Sequence, residues 1–285
     1  MNALVFSIVI FTFVLYVTSI HISPCAKWNR KGVTIAGTDP HGQSKIVVLS
    51  PQGIFIDKQR DLLYISDGDF EGRIRVLSLN KSGSEPKLLI EDIINPGRFY
   101  VVDDIQGPII YITLPYLNYV QKWLPGSTHG IQIGGYFSFC EGVTVDSDGY
   151  VYVSESVQEC VSRWSPQTNQ TETIAGRRSI QGVDSSHLFL PAGIYRSNST
   201  GDMYIADEEN NRIQKWAKNA SKGVTVAGSK DGFPGWDNSS LDHPKAIWFD
   251  EQTEVLYVAD GHNYRIQRYR PGALQADTIA GGVGT

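Results

Sequence analysis

Histidines, cysteines and a recurring set of carboxylates are the side chains of this 285-residue chain that could do chemistry. His41, His187 and His243 precede Pro51, Pro191 and Pro244 by ten, four and one residues. Three imidazoles meeting about 2.1 Å from one point, with a fourth position open, would make a catalytic zinc site. Their unequal offsets do not enforce that meeting, so no metal ligand is assigned, and His129 and His262 read as surface turn residues. Asp67, Glu155, Asp207 and Asp260 each end a short apolar segment that contains a tyrosine. A calcium ion would need several oxygens aimed at one point, and no loop has that Asp/Asn density. Recurrence favours a structural role instead: accepting backbone N–H groups in the following turn and pairing with Arg73, Arg212 and Arg265. Gly281-Gly282-Val283-Gly284 follows a strand but opens no helix, and neither a Gly-x-Ser-x-Gly elbow nor a His-x-x-x-His pair is present. No catalytic residue and no cofactor are expected.

The elements that would position these groups come from a repeat. Leu63-Tyr64-Ile65-Ser66, Ile110-Tyr111-Ile112-Thr113, Val151-Tyr152-Val153-Ser154, Met203-Tyr204-Ile205-Ala206 and Leu256-Tyr257-Val258-Ala259 are spaced 47, 41, 52 and 53 residues apart. Such a period marks a repeat architecture. Each unit resolves into four short strands. Strand a opens with a Pro-x-Gly-like signal, as in Pro51-Gln52-Gly53-Ile54 and Pro191-Ala192-Gly193-Ile194; Cys140 takes the proline slot in the third copy, and the second copy loses the signal. Strand b carries the tyrosine, strand c ends at Trp123, Trp164, Trp216 or Tyr269, and strand d is clearest at Thr173-Ile174-Ala175-Gly176 and Thr278-Ile279-Ala280-Gly281. Strands a and b are nearly all apolar, as strands buried on both faces are, whereas c and d alternate. The aromatic residues ending strand c should pack between units. Four-stranded antiparallel units arranged radially make an all-β fold, a β-propeller.

The Pro-x-Gly-Ile opening, the Leu-Tyr-Ile-Ser/Ala-Asp strand and Asn210-Asn211-Arg212-Ile213-Gln214-Lys215-Trp216 resemble the NHL repeat over about residues 28 to 281. The likeness is strongest in the fourth and fifth copies and weakest in the second, where Leu114-Pro115 replaces the acidic residue. The resemblance implies six blades, and five are countable. Residues Trp28 to Gly37 look like a strand d with no a, b or c before it. The expectation is therefore five complete blades plus an orphan outer strand, from a six-bladed ring cut short at the C-terminus; a partner supplying the strands, or closure with five blades, are the alternatives.

Cys140 and Cys160 fall at the same end of the third blade, on strands a and c. Those ladders lie about 9.6 Å apart, and a disulfide needs Cα atoms within about 7 Å. A Cys140–Cys160 disulfide is expected if the loop before strand a leans toward strand c, and Cys25 is left over. Asn80, Asn169, Asn198, Asn219 and Asn238 each begin a glycosylation sequon in a polar inter-strand segment. Residues 1–24 read as a signal peptide, with 25–285 as the propeller domain. An uncleaved membrane anchor at residues 3–20 is the alternative. Secretion is the expected localisation.

The net charge of −5 argues against a nucleic-acid partner. The loops Thr38–Ser50, Arg177–Leu190 and Ser229–His243, joining strand d to the next strand a, should cluster on one face, with Trp236 in the longest. The expectation is a non-catalytic extracellular scaffold that binds a protein, peptide or glycan there. The NHL resemblance also raises a metal-dependent lyase or hydrolase of the peptidyl-hydroxyglycine lyase type at the central channel, a zinc enzyme with histidine ligands. An RNA-binding propeller is the third class considered, and it would require a basic face.

Overall fold

The computed structural model describes residues 15–17, 48, 50–68, 72–80 and 86–282. Cys25, His41 and the expected strand at 28–37 lie outside them. So does most of the segment 1–24, of which only β1 (Leu15–Val17) is described; it pairs in parallel with the first strand of blade one.

Five antiparallel meanders follow. Blade one is β2 (Pro51–Asp57), β3 (Leu62–Asp67), β4 (Gly72–Ser78) and β5 (Lys87–Ile93). Blade two is β6 (Phe99–Asp104), β7 (Gly107–Leu114), β8 (Tyr119–Trp123) and β9 (Ile131–Ile133). Blade three is β10 (Cys140–Val145), β11 (Val151–Glu155), β12 (Cys160–Trp164) and β13 (Thr171–Gly176). Blade four is β14 (Pro191–Arg196), β15 (Met203–Asp207), β16 (Arg212–Trp216) and β17 (Val224–Gly228). Blade five is β18 (Pro244–Asp250), β19 (Val255–Asp260), β20 (Arg265–Tyr269) and β21 (Asp277–Gly281). Two single-turn 3₁₀ segments, at Pro115–Leu117 and Ser156–Gln158, are the helical content of the described residues. No helix among them is long and apolar enough to cross a membrane.

The core is divided among the blade interfaces. Tyr64 packs with residues of blades one and two, Tyr111 with blades two and three, Tyr152 with three and four, and Tyr204 with four and five. The fifth cluster joins Tyr257, Val255 and Trp248 of blade five to Ile54, Ile56, Leu63 and Ile65 of blade one. The described blades thus form a ring of five, with blade five seated on blade one. The strand that prompted the expectation of a sixth blade is not among them. Trp123, Trp164, Trp216 and Tyr269 join the clusters toward the preceding blade, the inter-blade role expected of them.

The small residue after each tyrosine has a physical cause. Ser66 Oγ donates to Gly97 O at 2.8 Å, Thr113 Oγ1 to Glu141 O at 3.2 Å and Ser154 Oγ to Ala192 O at 2.5 Å, each reaching the first strand of the next blade or the residues leading into it. There the chains approach so closely that a Cβ on Gly142 would meet Ala192 O at 2.8 Å. Only a short side chain fits, and a hydroxyl satisfies a carbonyl that the ladder leaves over.

Candidate functional site: the face of the d–a and b–c loops

In a four-stranded meander the d–a and b–c connections emerge at one end and the a–b and c–d connections at the other. Every exposed aromatic residue among those described falls on the first end: Tyr116, Tyr136, Phe233, Trp236 and Tyr264. Trp236 is 85% exposed and Phe233 73%. Ile94, Val157, Ile180 and Val183 add aliphatic surface there. The five sequon asparagines are all exposed. Asn80, Asn169, Asn198 and Asn219 lie in a–b or c–d loops, on the opposite face; Asn238 shares the aromatic face.

The loops bearing these residues are held by a clamp that occurs twice. Arg265 Nε meets Asp260 Oδ2 at 2.7 Å, and its terminal nitrogens donate to the carbonyls of Trp236 (2.7 Å), Asp237 (2.7 Å) and Ser240 (3.1 Å). Asn263 Nδ2 bridges Gly235 O and Asp260 Oδ2. One blade earlier, Arg212 Nε meets Asp207 Oδ2 at 2.7 Å and its terminal nitrogens reach the carbonyls of Val183, Asp184 and His187, while Asn210 bridges Gly182 O and Asp207. Asp207 is fully buried; burial pushes its carboxyl up to about 6, against the pull of Arg212 and of the N–H of Phe189. Burial raises Asp260 likewise.

The expected ion pairs of Arg212 and Arg265 are therefore present. In blade one it is Arg75 that approaches Asp67, at 4.0 Å. In blade three Cys160 stands where the arginine would be, and Arg178 from the next loop replaces it, contacting Glu155 at 2.8 and 3.2 Å. The carboxylates also accept backbone N–H groups from the d–a loops, at Ser50, Ser138, Phe189 and Asp242. The role is structural, as their recurrence suggests, but the N–H donors come from the preceding d–a loops and not from the b–c turn that follows.

The Cys140–Cys160 disulfide is not present: both are buried free thiols. Register explains it. Glu155 is paired across one ladder with Cys140 and across the next with Cys160, so the cysteines stand two strand spacings apart with a strand between them. Cys140 Sγ instead donates to Tyr119 O at 3.4 Å. Burial drives the Cys140 thiol up to about 12 and the Cys160 thiol up to about 11, so neither is a nucleophile near neutral pH.

The histidines separate. His187 lies in a tight turn where Asp184 Oδ1 (2.8 Å) and Ser186 Oγ (3.3 Å) both meet its Nδ1. A nucleophilic triad needs serine and carboxylate on opposite ring nitrogens, so this group is a turn and not a triad. Hydrogen bonds from His187 and Ser186 hold the Asp184 carboxyl well below the usual range. His243, by contrast, stacks on His262 with ring centroids 3.8 Å apart, and both approach Asp242. The sequence reading had set His262 aside as a turn residue. Where the first strands begin, Arg98 Nη1 meets Glu141 at 2.7 Å and Nη2 donates to Lys245 O at 3.0 Å, tying blades two, three and five across the ring. Lys245 pairs with Glu208.

One signal was overlooked. Gly182-x-Asp184-x-Ser186-x-Leu188 and Gly235-x-Asp237-x-Ser239-x-Leu241 are the same loop, offset by the 53 residues that separate Tyr204 from Tyr257. In both, the serine donates to the aspartate and the leucine is fully buried.

No protein-family model matches the chain. A stretch of 152 residues is 25% identical to the probable peptidyl-alpha-hydroxyglycine alpha-amidating lyase pgal-1 of Caenorhabditis elegans, covering 52% of this chain and 42% of that protein. The match thus spans less than half the length of that relative. An auxiliary nutrient binding protein from Bacteroides thetaiotaomicron superposes with a TM-score of 0.60 at 16% identity, over 76% of this chain and 58% of its own. A chain of the nidogen/laminin complex does so at 0.63 and 17% identity, over 81% and 80%. Strand order, repeat register and these likenesses agree that the chain is a β-propeller of five four-stranded blades.

Proposed function

We propose that the protein is an exported, non-catalytic scaffold that binds a protein, peptide or glycan on the face of its d–a and b–c loops. The gathering of all described exposed aromatic rings on that face carries the proposal. Aromatic rings offer large contact area at little conformational cost and dominate the energetics of recognition. Four of the five sequons lie on the other face, where glycans would leave the aromatic face open; Asn238 is the exception. Among the similar structures, one is described as nutrient binding and one is a protein complex.

The test is a screen of purified glycans and extracellular protein domains against the wild type, followed by variants. Trp236→Ala and Phe233→Ala should each weaken a selected interaction at least tenfold, as hot-spot truncations do at about 2 kcal/mol. Ile105→Ala and Leu274→Ala, on the opposite face, should leave it unchanged. Equal effects on both faces would overturn the proposal. Export predicts a mobility shift after endoglycosidase treatment of protein made in a eukaryotic secretory host.

The match to the amidating lyase favours a second reading, a metal-dependent lyase with a site at the central channel. Release of the amide product from a peptidyl-hydroxyglycine substrate by purified protein would establish it over the first.

A further inference from the structure

We infer that Asp242, His243 and His262 form a zinc-class metal site at the seam of blades four and five. One ligand atom from each can be chosen so that all lie within 4.8 Å of one another. Asp242 Oδ1 is 2.6 Å from His243 Nδ1 and 3.4 Å from His262 Nδ1. Two imidazole nitrogens and one carboxylate oxygen are the donors that a borderline ion takes at about 2.0–2.2 Å. Calcium and magnesium would want oxygen alone, and the site offers no thiolate for a softer ion.

The second ring of contacts points the same way. His243 Nε2 lies 3.2 Å from Glu209 Oε1, a residue of the blade-four b–c turn. A carboxylate on the far nitrogen fixes the tautomer of a metal-bound histidine and raises its basicity. In the tautomer that gives Nε2–H to Glu209, the Nδ1 lone pair of His243 faces Asp242 and His262, and a cation would take the place of the proton otherwise shared between Nδ1 and Asp242. An ion at that point satisfies all three groups at once.

The backbone holds the ligands ready. His262 N donates to Asp242 O at 3.0 Å, Gly261 N to His243 O at 3.2 Å and His243 N to Asn211 Oδ1 at 2.9 Å. Asp242 N donates to Asp260 Oδ1, itself gripped by Arg265. The two loops therefore meet at fixed register. His262 is exposed, so a metal here keeps a coordination position open to solvent or to a carboxylate or imidazole of a bound partner. No reaction is assigned to the ion. The inference goes beyond the binding proposal and stands apart from it, because zinc uptake is measured on the protein alone.

The experiment is competition for Zn²⁺ against a chromophoric chelator, using full-length protein first stripped with EDTA. Wild type should take up one tight equivalent. His262→Ala, a change on an exposed turn, should weaken it at least tenfold. Glu209→Gln should weaken it about tenfold, the low end for an outer-shell carboxylate. His129→Ala and His187→Ala should not alter it. Co²⁺ loading should give visible absorption bands of a low-coordinate site, lost in His262→Ala. Less than one equivalent in the wild type, or unchanged affinity in a His262→Ala protein with native circular dichroism, overturns the assignment.

Discussion

Replacing Arg265 by methionine removes a guanidinium and keeps most of the side-chain volume. The guanidinium contacts Asp260, whose side chain is fully buried, and three main-chain carbonyls of the loop that bears Trp236. Breaking one partner out of a buried ion pair costs about 3–5 kcal/mol, because the other charge is left without compensation. Asp260 keeps the N–H of Asp242 and the amide of Asn263, which favours the lower half of that range. The three carbonyls can turn to water only if the loop moves, so the remaining loss should appear as local loosening of residues 235–240. Expected is a fall of about 3 kcal/mol in urea-derived stability, and a melting point lower by roughly 6–12 °C at about 2–4 °C per kcal/mol. Amide exchange in residues 235–241 should accelerate more than in the strands of blade two. Arg212→Met should behave alike, since its contacts repeat those of Arg265. Glu172→Gln, which breaks the exposed pair with Arg163, should cost under about 1 kcal/mol. An Arg265→Met loss no larger than that of Glu172→Gln, with unchanged exchange in the loop, would refute the clamp.

Further outcomes follow from the inter-blade contacts and the thiols. Ser154→Ala removes the donor to Ala192 O and the acceptor of Gly142 N–H, and should destabilise by about 1–3 kcal/mol in the same urea assay. Gly193→Ala would place a Cβ 2.7 Å from Lys245 O and 2.9 Å from Ala246 Cα, so blade five must shift at a cost of about 1–3 kcal/mol; a neutral result would show that the seam is looser than described. Cys140 and Cys160, with thiols raised to about 12 and about 11, should be ionised to no more than about one part in a thousand at pH 8. In a Cys25→Ser background their alkylation should be at least 100-fold slower in native than in urea-unfolded protein, and equal rates would contradict the burial.

The fold was legible because its determinants are local and repeated. The tyrosine strands recur in all five blades, and the Pro-x-Gly openings and the Asp…Arg spacing in several, each with one physical job where it occurs. The carboxylate ring was readable as structural for the same reason. Blade-to-blade relations were harder. Cys140 and Cys160 belong to one blade, yet their separation depends on which residues the ladders set opposite Glu155, a matter of register. The pairing of His243 with His262 was missed because they sit 19 positions apart on two loops whose contact is set by backbone bonds. The likeness of the two clamped loops lies outside the strands, where the same 53-residue offset relates Gly-x-Asp-x-Ser-x-Leu at 182–188 to 235–241.

The clamp touches its loop only through main-chain atoms, carbonyl oxygens above all. Arg265 and Asn263 grip the main chain of residues 235, 236, 237 and 240, as Arg212 and Asn210 grip that of residues 182, 183, 184 and 187. Such a grip is blind to side-chain identity: tryptophan stands at one copy where valine stands at the other, and serine where histidine does. Loop residues can therefore be exchanged with no change in the frame that holds them. The protein separates the grammar of its fold from the vocabulary of its surface, and a transplanted loop need keep only the glycine, the aspartate, the serine and the buried leucine to be seated in the same pose.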